Sequence, residues 1–150
     1  MRRLFVDANV LIAGADSRSG ASRAVLLLAE IGLYELVVSR QVLDEAERNI
    51  RRKLPRALGN FAEQLSYLRL TIAADPPEEE IARWEDIIEA KDAPLLAAAV
   101  LAGVERLLTL NTRDFTPQVG AHCGVTIQTP RAFIAELRDW VQSGLAAPDR

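Results

Sequence analysis

Asp7, Asp92 and Asp114 each border an apolar run, and Asp44, Glu45 and Glu47 crowd one short stretch between them. Acids in such places either close turns and cap helices, or they converge in a crevice and hold a divalent cation for hydrolysis at a phosphate. In "RLFVDANVLIAG", residues 3–14, Leu4, Phe5 and Val6 read as a buried strand with Asp7 directly behind it. Asp7 is then a turn or cap residue, or a ligand at the end of a sheet. "LLTLNTRDF" repeats the arrangement, an apolar strand followed by Asn111, Thr112 and Asp114. An Asx-type turn explains that loop equally well.

In "EAKDAPLLAAAVLAG" the run from Ala93 to Ala102 carries no charge on any face, which predicts a helix buried all round. Asp92 suits its N-cap, and the helix dipole also favours an ionised carboxylate there, so cap and ligand are compatible roles. In "RQVLDEAERNIRRKL" Val42, Leu43, Ala46, Ile50 and Leu54 define an apolar face. Glu45 and Glu47 flank that face and Asp44 lies nearly opposite it. Periodicity does not choose between the two glutamates, and a solvated helix face accounts for any one of the three acids.

Composition narrows the chemistry. The chain has 150 residues, 49% apolar and 26% charged, which fits one globular domain with a real core. It has one histidine and one cysteine, His122 and Cys123, too few for a four-ligand zinc site. Any metal is therefore held through oxygen, which points to magnesium or manganese. A single cysteine forms no intrachain disulfide, so a reducing cytoplasm is the expected setting. No apolar run reaches the ~20 residues of a membrane helix, and Asp7 interrupts the only stretch that could resemble a signal peptide. The net charge of −3 looks unfavourable for binding nucleic acid. With four acids committed to metal, however, 17 acids face 18 bases, and bound cations reverse the local sign. Most of those bases are arginines, and "RNIRRKLPR" clusters five basic residues around one helix end. This cluster is either a solvated face or a phosphate contact.

The elements that must position these acids alternate along the chain. Strands are expected over 4–6, 34–39, 70–73, 106–110 and 125–128. Helices are expected over 19–32 (capped by Ser19 or Ser22 and stopped by Gly32), 40–54, 55–69, 78–90, 92–103 and 130–144. Such alternation implies an α/β protein with a parallel sheet covered on both faces, and ligands in that class bind at the carboxyl ends of strands. The domain is expected to span 1–143, with 144–150 as a flexible tail.

"FVDANVLI", "VLDEA", "DAPLLAAA" and "LLTLNTRDF", in this order, resemble the four motifs of the PIN-domain family, which includes VapC-like toxin ribonucleases. The resemblance runs from about Leu4 to Phe115. It implies a three-layer α/β/α sandwich on a central parallel sheet. It also implies Asp7, Glu45, Asp92 and Asp114 as catalytic metal ligands, so the resemblance selects Glu45 where periodicity does not. Asn9, Asn111, Thr112 and Arg113 would be nearby support or substrate contacts. The implied activity is magnesium- or manganese-dependent hydrolysis of RNA to 5′-phosphate products, by a toxin or by a non-toxin nuclease of RNA processing, both of which the sequence leaves open. The implied partners are a small antitoxin protein and a second copy of the chain; Phe133 and Trp140 on the last helix could serve an interface, though core packing suits both better. Two departures stand out: Ala8 occupies a position where the family often has Ser or Thr, and Asn111 stands where some members place the last acid.

Other readings fit less well. A phospho-receiver module wants adjacent acids at the first strand end and a lysine after a late strand, and the chain has neither. A haloacid-dehalogenase-type phosphatase wants an acid at position 9, which is Asn9. A non-catalytic RNA-binding PIN fold would not need all four acids.

Overall fold

The computed structural model describes residues 2–144. Five strands, β1 (Arg3–Val6), β2 (Glu35–Ser39), β3 (Leu70–Ala73), β4 (Arg106–Leu108) and β5 (Thr126–Gln128), form one sheet in the order β3-β2-β1-β4-β5. All four pairings are parallel, with Phe5 opposite Val37, Val6 opposite Leu108, Ser39 opposite Ala73 and Leu108 opposite Gln128. Parallel strands require crossovers, and helices supply them: α1 (Ala8–Asp16), α2 (Ala21–Glu30), α3 (Arg40–Lys53), α4 (Leu58–Tyr67), α5 (Glu78–Ala82), α6 (Ala93–Leu101), α7 (Pro117–Cys123) and α8 (Pro130–Gln142). The result is the expected three-layer α/β/α sandwich. The expected flexible tail falls on 145–150, outside the described residues, apart from Gly144.

The strands read as continuous apolar runs because both faces of the sheet are covered. Leu4, Phe5, Val6, Val37, Leu107 and Leu108 have no exposed surface. Phe133 of α8 is also fully enclosed, edge-on to Tyr34 at 5.5 Å, so it belongs to the core and offers no interface surface. Trp140 lies under the Arg2 guanidinium, 4.4 Å from the ring centroid, and likewise packs within the chain.

Several expected boundaries differ. Helix α1 follows Asp7 at once, although no helix is expected there; it packs against α2, α3 and α4 and is wrapped on several sides. A helix buried that way shows no amphipathic stripe, only the run Val10-Leu11-Ile12. Helix α2 starts after Gly20, with no side-chain cap bond from Ser19 or Ser22. Helix α7 is a seven-residue element capped by Thr116 and stopped at Gly124, which takes the left-handed conformation (φ 76°). The helix expected over 78–90 ends at Ala82. A continuous helix there would run about 20 Å straight. Instead, successive turns from Trp84 to Asp92 bury Ile88 and fold the chain back so that α5 packs on α6. Helix α6 is not buried all round: Ala93, Leu96, Ala97, Ala98 and Ala99 are enclosed, but Leu101 is 51% exposed.

Candidate functional site

The sheet order reverses between β1 and β4: the chain winds outward from β1 through β2 and β3, then returns to pair β4 on the other side of β1. Open α/β sheets form their crevice at such a switch point, beyond the carboxyl ends of the strands. The Asp7 N–H extends the β1–β4 ladder by donating to the Leu108 carbonyl at 3.0 Å. Asp7 then caps α1, its Oδ1 accepting from the Ala8 N–H at 2.7 Å. This cap leaves Oδ2 directed towards β4, where the Thr109 hydroxyl donates to it at 2.7 Å and Asn9 Nδ2 at 3.2 Å.

Thr109 organises this corner, and sequence reasoning missed it. It is 0% exposed. Besides donating to Asp7, its Oγ1 accepts from the Asn111 N–H at 3.0 Å and lies 3.4 Å from Asn9 Nδ2. Asn9 Oδ1 in turn accepts from the Leu110 N–H at 3.1 Å, tying α1 to the end of β4. A hydroxyl thus reaches Asp7 from β4, although the residue after Asp7 is Ala8.

The crevice opens into a cavity of about 150 Å³ lined by Asp7, Asn9, Ser39, Glu45, Lys91, Asp92 and Asn111, among others. A water molecule takes about 30 Å³, so a divalent cation with a few waters fits. Ser39 ends β2 and caps α3, its Oγ accepting from the Val42 N–H at 3.2 Å. The helix begun there carries Glu45 to the cavity wall. Glu47 points away and pairs with Arg51 at 3.5 Å, and Asp44 lines a neighbouring groove with Arg48 and Asp75.

Asp92 sits at the start of α6, but its side chain makes no capping hydrogen bond. Its Oδ2 is buried with no hydrogen-bond partner. Asp92, Asp114 and Glu89 each place a carboxylate oxygen within 4.8 Å of the others. Glu89 was not singled out from sequence; its only signal is its i, i+3 spacing from Asp92. Asn111 closes an Asx-type turn, accepting from the Asp114 N–H at 3.3 Å and donating through Nδ2 to Asp114 Oδ2 at 3.1 Å.

Electrostatics match this crowding. Burial raises the Asp7 carboxyl above its ordinary range, against the lowering pull of Thr109, Ala8 and Asn9. Glu45 is raised by burial and then by the Asp7 charge. Burial, followed by the neighbouring Asp114, pushes Asp92 up to about 6, while donation from Asn111 holds Asp114 low. The nearby Lys91 charge lowers both Asp92 and Asp114, yet burial and the neighbouring carboxylate still hold Asp92 above the ordinary range.

Of the eight residues singled out from sequence, Asp7, Asn9, Glu45, Asp92 and Asn111 line one cavity, and Asp114 adjoins it through Asn111 and Asp92. Thr112 is not brought there; it is exposed beside a separate depression with Phe115 and Ile127, because the turn after β4 directs it outward. Arg113 is exposed on the same loop. The oxygen-only donors around an orphaned carboxylate oxygen suit a hard divalent cation.

The solved structures resembling this fold include PAE2754 from Pyrobaculum aerophilum, at 17% identity and a TM-score of 0.61, with 92% of this chain and 96% of that one covered. Another is VapC20 from Mycobacterium tuberculosis, described as a sarcin-ricin loop cleaving toxin, at 17% identity and a TM-score of 0.52, with 79% and 94% covered. At such identity they show a shared fold. No curated protein matches the chain by sequence. A family model described as PIN domain matches residues 3–113, taking in Asp7, Glu45 and Asp92 and stopping one residue short of Asp114. A match over most of the chain, on a fold these structures share, places this protein in the PIN-domain family of metal-dependent nucleases.

Proposed function

We propose that this protein is an endoribonuclease that hydrolyses RNA phosphodiester bonds with magnesium or manganese. The observation that carries the reading is Asp92: a helix-start carboxylate that caps nothing, keeps one oxygen buried and unpartnered, and meets Asp114 beside the cavity lined by Asp7 and Glu45. Asp7 and Asp92 are the primary ligands in this reading, and Glu45 and Asp114 complete the set. A divalent ion bound there supplies Lewis-acid activation of water and neutralises charge building on the phosphate.

The chain's own residues prepare that chemistry. Thr109 and Asn9 fix the Asp7 carboxylate from β4 and α1, and Asn111 fixes Asp114. His122 lies on α7, away from the cavity-lining residues, so imidazole acid–base cleavage has no group to perform it. Arg113, exposed beside Asp114, would contact a backbone phosphate in this reading. Purified protein with a structured RNA and Mn²⁺ or Mg²⁺ is expected to cleave it, and excess EDTA to stop cleavage completely. Undiminished cleavage in EDTA overturns the reading.

The resemblance to VapC20, a toxin, supports a finer assignment, a toxin neutralised by a small antitoxin protein, and we propose further that it works in the cytoplasm as a homodimer. Among the described residues, no helix is long and apolar enough to cross a membrane. Induced expression is expected to arrest growth, and co-expression of an antitoxin from the neighbouring gene to relieve it. Unimpaired growth with cleavage retained in vitro removes the toxin assignment and leaves the nuclease.

A further inference from the structure

Lys91 lines the same cavity as Asp7, Glu45 and Asp92. Its Nζ lies 3.7 Å from Asp114 Oδ2 and 3.8 Å from Glu89 Oε2. Those two acids, with Asp92, form the three-carboxylate cluster. Both separations exceed the roughly 2.7–2.9 Å of a charge-assisted hydrogen bond, so the ammonium stands between two acids without being locked to either. The partners are held unequally: the Asp114 side chain is 15% exposed and bonded to Asn111, whereas that of Lys91 is 68% exposed. The acid is fixed and the cation is on a free tether.

We propose that Lys91 is the resident counter-ion of the acid cluster, occupying it in the metal-free protein and swinging outward when a divalent cation binds. This rests on the metal-site reading above. Three carboxylates held this close repel one another, and a positive charge between them offsets that repulsion. Lysine suits a temporary occupant because its ammonium is a compact, well-hydrated point charge on a flexible stem. Arginine would clamp a carboxylate through two parallel bonds and resist displacement. A divalent ion carries twice the charge and coordinates the oxygens directly, so it wins the site, but it must first displace Lys91. Lys91 therefore weakens metal binding while protecting the empty cluster. Arg48 acts on Glu45 and Arg113 on Asp114, but neither lines the cavity, and among the described residues neither forms an ion pair with the cluster.

Titration calorimetry of the RNA-free protein with Mn²⁺ tests this directly. A unit charge removed within several ångströms of the ion, in a largely solvated setting, is expected to tighten Mn²⁺ binding about three- to ten-fold in Lys91→Gln. Lys91→Arg, which keeps the charge, is expected to bind no more tightly than wild type. Lys53→Gln removes the same charge at the far end of α3, about 12 Å along the helix from Glu45 and beyond a Debye length of roughly 10 Å at 0.1 M salt. It is expected to leave the affinity unchanged. Unchanged or weaker binding in Lys91→Gln, or an equal gain in Lys53→Gln, overturns the counter-ion role. Asp92→Asn in the same assay separates the two levels. Loss of Mn²⁺ binding there with no gain in Lys91→Gln removes the role of Lys91 alone, whereas unchanged binding in Asp92→Asn removes the metal site and the counter-ion with it.

Discussion

Asp92→Asn is expected to lower metal-dependent RNA cleavage by more than about 100-fold in a protein that folds as well as wild type. Removing a group that only supports a metal ligand costs about 10–100-fold, so replacing a ligand itself should cost more. Capping does not confuse the outcome, because the Asp92 side chain makes no capping bond and Asn caps about as well as Asp. The sign of the stability change follows from its raised pKa. In the metal-free fold Asp92 keeps its proton up to about pH 6, above the ordinary carboxyl value, because it is buried and faces Asp114. Its favourable contribution is therefore complete below about pH 4 and is lost as pH rises through about 6. Asn carries no such penalty, so the metal-free variant should match wild type in acid and equal or exceed its Tm at pH 7. Metal reverses the order. At 100 times the Kd, Mn²⁺ stabilises wild type by about 2.7 kcal/mol, roughly 5–10 °C for a domain of this size, and the variant should lose that shift. Full cleavage by well-folded Asp92→Asn protein, or an undiminished Mn²⁺ shift in Tm, removes Asp92 from the site.

Thr109→Val is the second large effect, and it acts on stability and activity together. Valine preserves the shape of a fully buried side chain but deletes the hydroxyl that donates to Asp7 and accepts from the Asn111 N–H. An enclosed carboxylate oxygen and a backbone N–H lose a partner at once. Hydrogen bonds to charged groups contribute about 1.5–3 kcal/mol, so a loss of about 2–3 kcal/mol, or roughly 5–10 °C in Tm, is expected. The loss should depend on pH with a definite sign. Thr109 donation lowers the Asp7 pKa against burial, so the variant's Asp7 takes up its proton at a higher pH than wild type. The stability difference should be largest where wild-type Asp7 is ionised, and should shrink as the pH falls and both carboxyls become neutral. Metal affinity should fall with it, since the ligand is less ionised and less well aimed. Thr109→Ser, which keeps the hydroxyl, should restore most of both. A Thr109→Val protein with wild-type Tm and metal affinity would show that the hydroxyl does not hold Asp7.

What the sequence determined was the alternation of strands with most of the helices, α1 and α7 excepted, and the chemical character of the site. Leu4–Val6 and the apolar stretches around Leu36–Val38 and Leu107–Leu108 are strands because buried parallel strands need continuous apolar runs, a local property, whereas the edge strands Leu70–Ala73 and Thr126–Gln128 are only partly buried. The scarcity of His and Cys confines any metal to oxygen ligands through composition alone. The tertiary structure decided which acids meet. Glu45 and Glu47 flank the same helix face in sequence; only the placement of α3 after Ser39 turns one to the cavity and leaves the other to Arg51. Thr109 and Asp7 are 102 residues apart, and they touch because β1 and β4 are neighbours in register, with Val6 opposite Leu108. Lys91 and Glu89 join the site because the chain turns back after Ala82 where a longer helix was expected. Patterning constrains each segment through its own neighbours, whereas strand order and register are set by the packing of the whole chain, so contacts across the sheet appear only once it is assembled.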